Sequence, residues 1–210
     1  MLVTTLALAA SASGCLNPFQ PATPEKPTGT PVVENFSTPD KLLATMAAAV
    51  MNKGPSGRNA YYDALADSTS PSTPAFYAFH FPAVMDAWIN PPNPWDRRLE
   101  KLFYDYLITV YSNFTYTYAW APDNTSPADE LDESAGTALY HRYYELQATS
   151  ADGLTTKIIA VGYADLTLQK LNSRWYLVHW NDRISREGAN LADPEHRSMG
   201  WRRLDSTTSH

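Results

Sequence analysis

The stretch "RWYLVHWNDR", residues 174–183, places two tryptophans, a tyrosine, a histidine, a leucine and a valine in ten positions. Aromatic and β-branched residues at this density make a strand. Under strict alternation, Trp175, Leu177 and His179 share one face and Tyr176, Val178 and Trp180 the other. A strand apolar on both faces must be covered on both. A helix is expected against one face, and a ligand, the C-terminal tail or a second copy of the sheet against the other.

The chain just before this stretch supplies the rest of a sheet. Asn172-Ser173 is a turn, residues 155–169 form a long strand, Asp152-Gly153 is a second tight turn, and residues 138–149 form another strand. Residues 113–120 alternate, with Phe114, Tyr116, Tyr118 and Trp120 on one side and Thr115, Thr117 and Ala119 on the other. Consecutive strands joined by short turns pair antiparallel, because parallel pairing needs long crossovers.

Helices precede the sheet. Thr38-Pro39-Asp40 reads as cap, first helical residue and dipole partner, followed by Leu43, Met46, Ala47 and Val50 at helical spacing, and Gly54-Pro55 stops the run. Residues 58–66 form a shorter helix burying Tyr61, Tyr62 and Leu65, and 76–81 a short strand. The strongest helix opens at Asn93-Pro94-Trp95-Asp96 and carries one stripe of Leu99, Leu102, Phe103, Tyr106, Leu107 and Val110. Arg97, Arg98, Glu100, Lys101 and Asp105 fall mostly off that stripe. Helices first and sheet mostly last make an α+β domain with helices on one face of a curled sheet.

The N-terminus carries an address rather than a fold. MLVTTLALAASASGC is uncharged and ends at the single cysteine of the chain. Fourteen such residues are too short to span a bilayer of about 30 Å and suit a secretory signal. Ala12-Ser13-Gly14-Cys15 resembles a bacterial lipobox, in which the cysteine is lipidated and the chain is cut before it. That resemblance implies a signal peptide over 1–14 and a lipid on Cys15 as the membrane partner. Pro18, Pro21, Pro24 and Pro27 then recur at every third position, so 15–37 reads as an extended tether. At about 3.1 Å per residue it would hold a domain up to roughly 70 Å from its lipid. The expected location is the bacterial cell envelope, outer membrane or periplasm-facing.

The net charge of −6 is spread out with no basic run, which argues against a nucleic-acid partner. Asp129, Glu130, Asp132 and Glu133 cluster, yet they lack the ligand alternation of a calcium loop and read as solvated. Glycine-rich phosphate loops, nucleophile elbows and zinc-spaced Cys or His pairs are absent. No metal or cofactor is expected.

The helical opening TPDKLLATMAAAVMNKG with YYDALAD, and the closing RWYLVHWND, resemble the nuclear-transport-factor-2-like superfamily, the cystatin-like cone. The resemblance covers about residues 38–186 and implies a curved antiparallel sheet wrapped around N-terminal helices. The tail, 187–210, is left as cover; Met199-Gly200-Trp201-Arg202-Arg203-Leu204 alternates like one extra short strand.

That fold hosts isomerases, dehydratases and cyclases as well as non-catalytic members, so function has to come from the site. A ketosteroid-isomerase- or polyketide-cyclase-like lyase or isomerase acting on an apolar carbonyl compound would need a base and a hydroxyl donor. His141, Tyr143, Asp165 and His179 are the candidates. Strand phase instead puts His141, Glu145 and Lys157 on solvent, and the register cannot be read from sequence. The favoured expectation is a lipid-anchored binding or scaffolding module without catalysis. It would present Phe114, Tyr116, Tyr118, Trp120, Trp175 and Trp180 to an apolar ligand, an envelope protein or a second copy of the chain.

Overall fold

The computed structural model describes residues 31–67, 75–82, 95–183 and 198–208. Cys15, the signal segment and most of the tether lie outside the described residues.

Helix α1, Pro39–Asn52, starts as its sequence dictates: Thr38 Oγ1 accepts from the Lys41 amide at 3.3 Å with Pro39 in the first turn. Lys53 ends it in the left-handed conformation. Helix α2, Pro55–Ala64, begins three residues earlier than expected, because Pro55 opens it as well as ending the segment before it. Strand β1, Ala78–His80, is followed by β2, Trp95–Asp96, and by α3, Arg97–Val110. The sheet continues with β3, Phe114–Pro122; β4, Glu130–Asp132; β5, Thr137–Ser150; β6, Thr156–Leu171; and β7, Arg174–Arg183. Helix α4, Met199–Thr208, closes the chain.

The strand order is β2-β1-β7-β6-β5-β3, with β4 paired to β5. The expected antiparallel meander β3-β5-β6-β7 is present, with left-handed backbone at Asn172, Ser173 and Gly153 in its turns. The sheet as a whole is mixed, because β1 joins β7 parallel. That pairing is open to β1 because most of the domain separates the two strands in sequence.

Four expectations are corrected. The first concerns β7. Thr167 pairs with His179 and Leu168 with Leu177, which leaves Val178 as a bulge. The bulge resets the alternation, so Trp175, Leu177, Trp180 and Asp182 are all buried together, while Tyr176 and His179 are half-buried on the other side. The strand is therefore not apolar on two faces; its tryptophans share one.

The second correction concerns α3. Its cap is Asp96, whose Oδ1 accepts from the Leu99 amide at 2.9 Å, while Trp95 and Asp96 pair with β1. Its buried face is Glu100, Phe103, Tyr104 and Leu107. Leu102 and Val110, expected on the core stripe, are 51% and 49% exposed. An acid owns the interior position because an arginine neutralises it there. The third is His141, expected on solvent, which is buried against Asp165. The fourth is the tail stretch, which forms α4 rather than a strand and packs on α3 and β6. Met199, Arg203 and Leu204 share the buried side of that helix, which gives the stretch its strand-like pattern.

The core lies between the helices and the inner sheet face, built from Leu42, Met46, Phe103, Leu107, Tyr144, Leu166, Trp175 and Trp180 among others. The edge of β7 is covered in two pieces. The Trp175 amide donates to Phe36 O at 2.8 Å and Ala66 to Leu177 O at 3.0 Å; beyond the bulge, β1 takes over.

Candidate functional site

Inside the curve of the sheet, α3 turns Glu100 into the apolar interior with no exposed surface. Four donors converge on its carboxylate. Arg203 of α4 forks onto it, Nε to Oε2 at 2.8 Å and Nη2 to Oε1 at 2.6 Å. The Tyr61 hydroxyl of α2 donates to Oε1 at 2.6 Å and Trp95 Nε1 to Oε2 at 2.9 Å. A buried charge of this kind persists only when paired and hydrogen-bonded, and Glu100 is both.

The guanidinium of Arg203 is boxed by rings. Its carbon lies 3.7 Å from the Phe79 ring centre and 4.7 Å from those of Phe103 and Trp180. Those distances are within cation–π range. Burial works against the Arg203 charge, but the Glu100 carboxylate more than offsets it and holds the group protonated. Burial first, and the Glu100 charge second, push the Tyr61 and Tyr77 phenols well up, so both remain neutral. The Tyr77 hydroxyl lies near the pair without a well-directed bond to either member. Tyr118 Oη, Trp180 Nε1 and Arg203 Nη1 are buried without an acceptor among the described residues.

A second polar layer sits where α4 begins. Tyr144 Oη donates to Asp182 Oδ1 at 2.5 Å and itself accepts from the Met199 amide at 2.8 Å. Asp182 Oδ2 accepts from the Gly200 amide at 2.9 Å. Burial raises the Asp182 carboxyl even against these hydrogen bonds. Gly162 makes room for the phenol: a Cβ there would lie 2.5 Å from Tyr144 Oη. A carboxyl beside a phenol is the pairing that proton transfer at a carbonyl requires, but here both groups are engaged by the first turn of α4.

The sequence-derived catalytic candidates lie on the opposite, outer face. His141 and Asp165 are cross-strand partners with Nδ1···Oδ1 at 2.6 Å, and Arg183 reaches the same Asp165 oxygen at 2.9 Å. Tyr143 donates to Glu145 Oε2 at 2.8 Å; burial and then that carboxylate push its phenol up to about 12. His179 sits beside His80, with Nδ1···Nε2 at 3.3 Å, and burial followed by His80 lowers its pKa. His141 and Asp165 are thus brought together, Tyr143 lies next along the strand from His141, and His179 stands on β7 across from Thr167.

The aromatic set meant for a partner surface is placed inward. Trp175, Trp180, Tyr116 and Tyr118 are buried, and Phe114 and Trp120 are half-buried against the core. Trp120 packs on Trp180 at 5.2 Å and Tyr118 on Trp120 at 5.0 Å between ring centres. The four buried rings offer no surface to a partner, whereas Phe114 and Trp120 keep part of theirs. In the acidic stretch, Asp129 pairs with Arg142 and Glu133 with Lys170, so its carboxylates serve separate partners.

Glu100, Arg203 and their cage escaped the sequence reading. The available signals were the i, i+3, i+4, i+7 frame of Glu100, Phe103, Tyr104 and Leu107, and an arginine set among Met199, Trp201 and Leu204.

No protein-family model matches the sequence, and a search of the curated proteins finds no match. Solved structures do resemble it. A Mycobacterium tuberculosis protein of unknown function aligns over 81% of this chain and 84% of its own, at 13% identity and a TM-score of 0.50. An NTF2-like protein with a cystatin-like fold from Novosphingobium aromaticivorans aligns over 72% of this chain and 82% of its own, at 10% identity and a TM-score of 0.49. The fold is a cystatin-like cone, a curved mixed sheet with helices against one face. ActVI-ORFA from Streptomyces coelicolor aligns over 67% of this chain and 90% of its own, at 8% identity and a TM-score of 0.46. At such identities the likeness is one of fold alone. In this cone the interior acid is already paired with a cation from the chain's own last helix.

Proposed function

We propose that the protein is a non-catalytic binding module of the bacterial cell envelope, held to a membrane by a lipid on Cys15, with its binding chemistry inside the cone. The observation that carries this reading is the state of Glu100. A general base needs a free lone pair within reach of substrate, and the Glu100 oxygens are committed to Arg203, Tyr61 and Trp95. The role of the aromatic rings shifts accordingly, from a displayed surface to the walls of the interior. An envelope partner or a second copy of the chain would have to meet the outer face, around Tyr143, Tyr163 and Tyr176. The reading calls for no cofactor and no nucleic acid.

A second reading, a lyase or isomerase acting on an apolar carbonyl compound, draws support from the Tyr144–Asp182 pair and its raised carboxyl. Incubating the full-length protein with a panel of apolar enones and β-keto compounds, followed by ultraviolet absorbance, separates the two. No turnover is expected, and turnover abolished by Asp182→Asn would establish the second reading instead. The anchor is tested by fractionation: the wild-type chain should pellet with membranes and Cys15→Ala should not. Equal distribution of the two would remove the lipid from the account.

A further inference from the structure

Phe79, Phe103 and Trp180 around the carboxylate of Glu100 form the constellation that recognises an organic cation: ring faces for the charge and a fork-accepting acid for direction. Here the guest is Arg203, carried in by α4. The two-point contact, Nε to Oε2 and Nη2 to Oε1, needs N–H groups in a plane, which a guanidinium has and a quaternary ammonium lacks.

Two observations point to a replaceable guest. First, among the described residues α4 buries two apolar side chains, Met199 and Leu204, with Trp201 half-buried against the core, and polar contacts add to its hold: Gly200 to Asp182, Met199 to Tyr144, Arg202 to Ile159 O, and Arg203 to Glu100. Desolvating two charges offsets much of what their pairing contributes. An incoming guanidinium replaces the Arg203 contact like for like, so what it competes against is the tethering and packing of α4. Second, Arg203 leaves polar capacity around it unused. Among the described residues, its own Nη1, the Trp180 indole N–H and the Tyr118 hydroxyl are buried without acceptors. A guanidinium compound that also carries a carbonyl or hydroxyl oxygen would satisfy groups that Arg203 cannot.

We propose that the Glu100–Phe79–Phe103–Trp180 cage is a binding site for a guanidinium group, and that α4 is an internal pseudo-ligand which closes it until such a cation displaces Arg203. This rests on the reading of the cone interior as a binding site and names its ligand class and its regulation.

The test uses the full-length Arg203→Ala protein with n-propylguanidinium at millimolar concentration as the probe. Its thermal midpoint should rise saturably. The uncharged n-propylurea should have no such effect, and neither probe should act on the Glu100→Gln/Arg203→Ala double variant. A capped arginine peptide, tested alongside, separates a small-molecule source of the guanidinium from a protein one. Should Arg203→Ala be unfolded alone, recovery of its near-ultraviolet circular dichroism on adding n-propylguanidinium reads the same binding. Absence of any saturable response, or an equal response to the urea, overturns the cage. In the wild type, the probe should speed hydrogen exchange of the α4 amides to a plateau; unchanged exchange overturns the displaceable helix. Turnover of the carbonyl panel by Arg203→Ala would instead defeat the non-catalytic reading, leaving the cage to be judged on the midpoints.

Discussion

Tyr61, on α2, and Tyr77, just before β1, both lie close to Glu100, and they differ in one hydrogen bond. The Tyr61 hydroxyl donates to the carboxylate at 2.6 Å, whereas Tyr77 has no well-directed bond. Losing a bond to a buried charge costs about 1.5–3 kcal/mol, so Tyr61→Phe should fall in that range by urea denaturation and Tyr77→Phe near zero. Equal costs would place Tyr77 inside the network. Two aspartates supply opposite pH dependences. The Asp182 carboxyl is raised above 3.8 by burial, so its contribution is greatest at low pH and declines as pH climbs through its folded value. Asp123 is held well below 3.8: burial opposes this, but hydrogen bonds from Ser126, Thr125 and Arg183 prevail. Its contribution is present above 3.8 and is lost as pH falls below. Stability measured from pH 3 to 7 should therefore lose its acid-side fall in part with Asp123→Asn, and should gain relative to wild type toward neutral pH with Asp182→Asn. Reversed signs would show that the burial of Asp182 is misplaced.

Most elements can be read from their own residues: Thr38-Pro39 announces α1, the Asp152-Gly153 and Asn172-Ser173 turns set the hairpins, and Phe114 to Trp120 give their strand its inner face. Two features resisted for a shared reason, namely that each depends on a partner remote in sequence. The bulge at Val178 exists because the edge of β7 changes neighbour there, from the 65–66 segment to β1, and alternation within β7 cannot reveal it. The interior position of Glu100 exists because Arg203 arrives more than one hundred residues later. The bulge makes a sharp prediction. Deleting Val178 makes the pairing with β6 continuous and leaves Trp175, Leu177, Trp180 and Asp182 facing inward together, so the deletion should keep a cooperative unfolding transition. Val178→Ala keeps the register and should cost only about 1 kcal/mol. A deletion variant without a cooperative transition would mean that the inward facing of Trp180 and Asp182 depends on the extra residue.

Taken as a whole, the molecule is a curved mixed sheet whose concavity is filled by its own helices and closed by its own last helix. The fold was readable because element order and hydrophobic period are local properties. The candidate site was not, because His141, Tyr143, Asp165 and His179 stand out by residue type, yet the phase of the strands sends them to the outer face. The charged groups buried inside the cone are instead Glu100 on α3, Asp182 on β7 and Arg203 on α4. The measurement that tests this most directly is a double-mutant cycle on Glu100 and Arg203, using Glu100→Gln, Arg203→Met and the pair together, followed by equilibrium unfolding. Contacting residues couple by about 0.5–3 kcal/mol, and this fully buried two-point pair should lie at the upper end, with the double variant more stable than the sum of the single costs predicts. Strictly additive costs would mean that the two charges do not meet inside the cone.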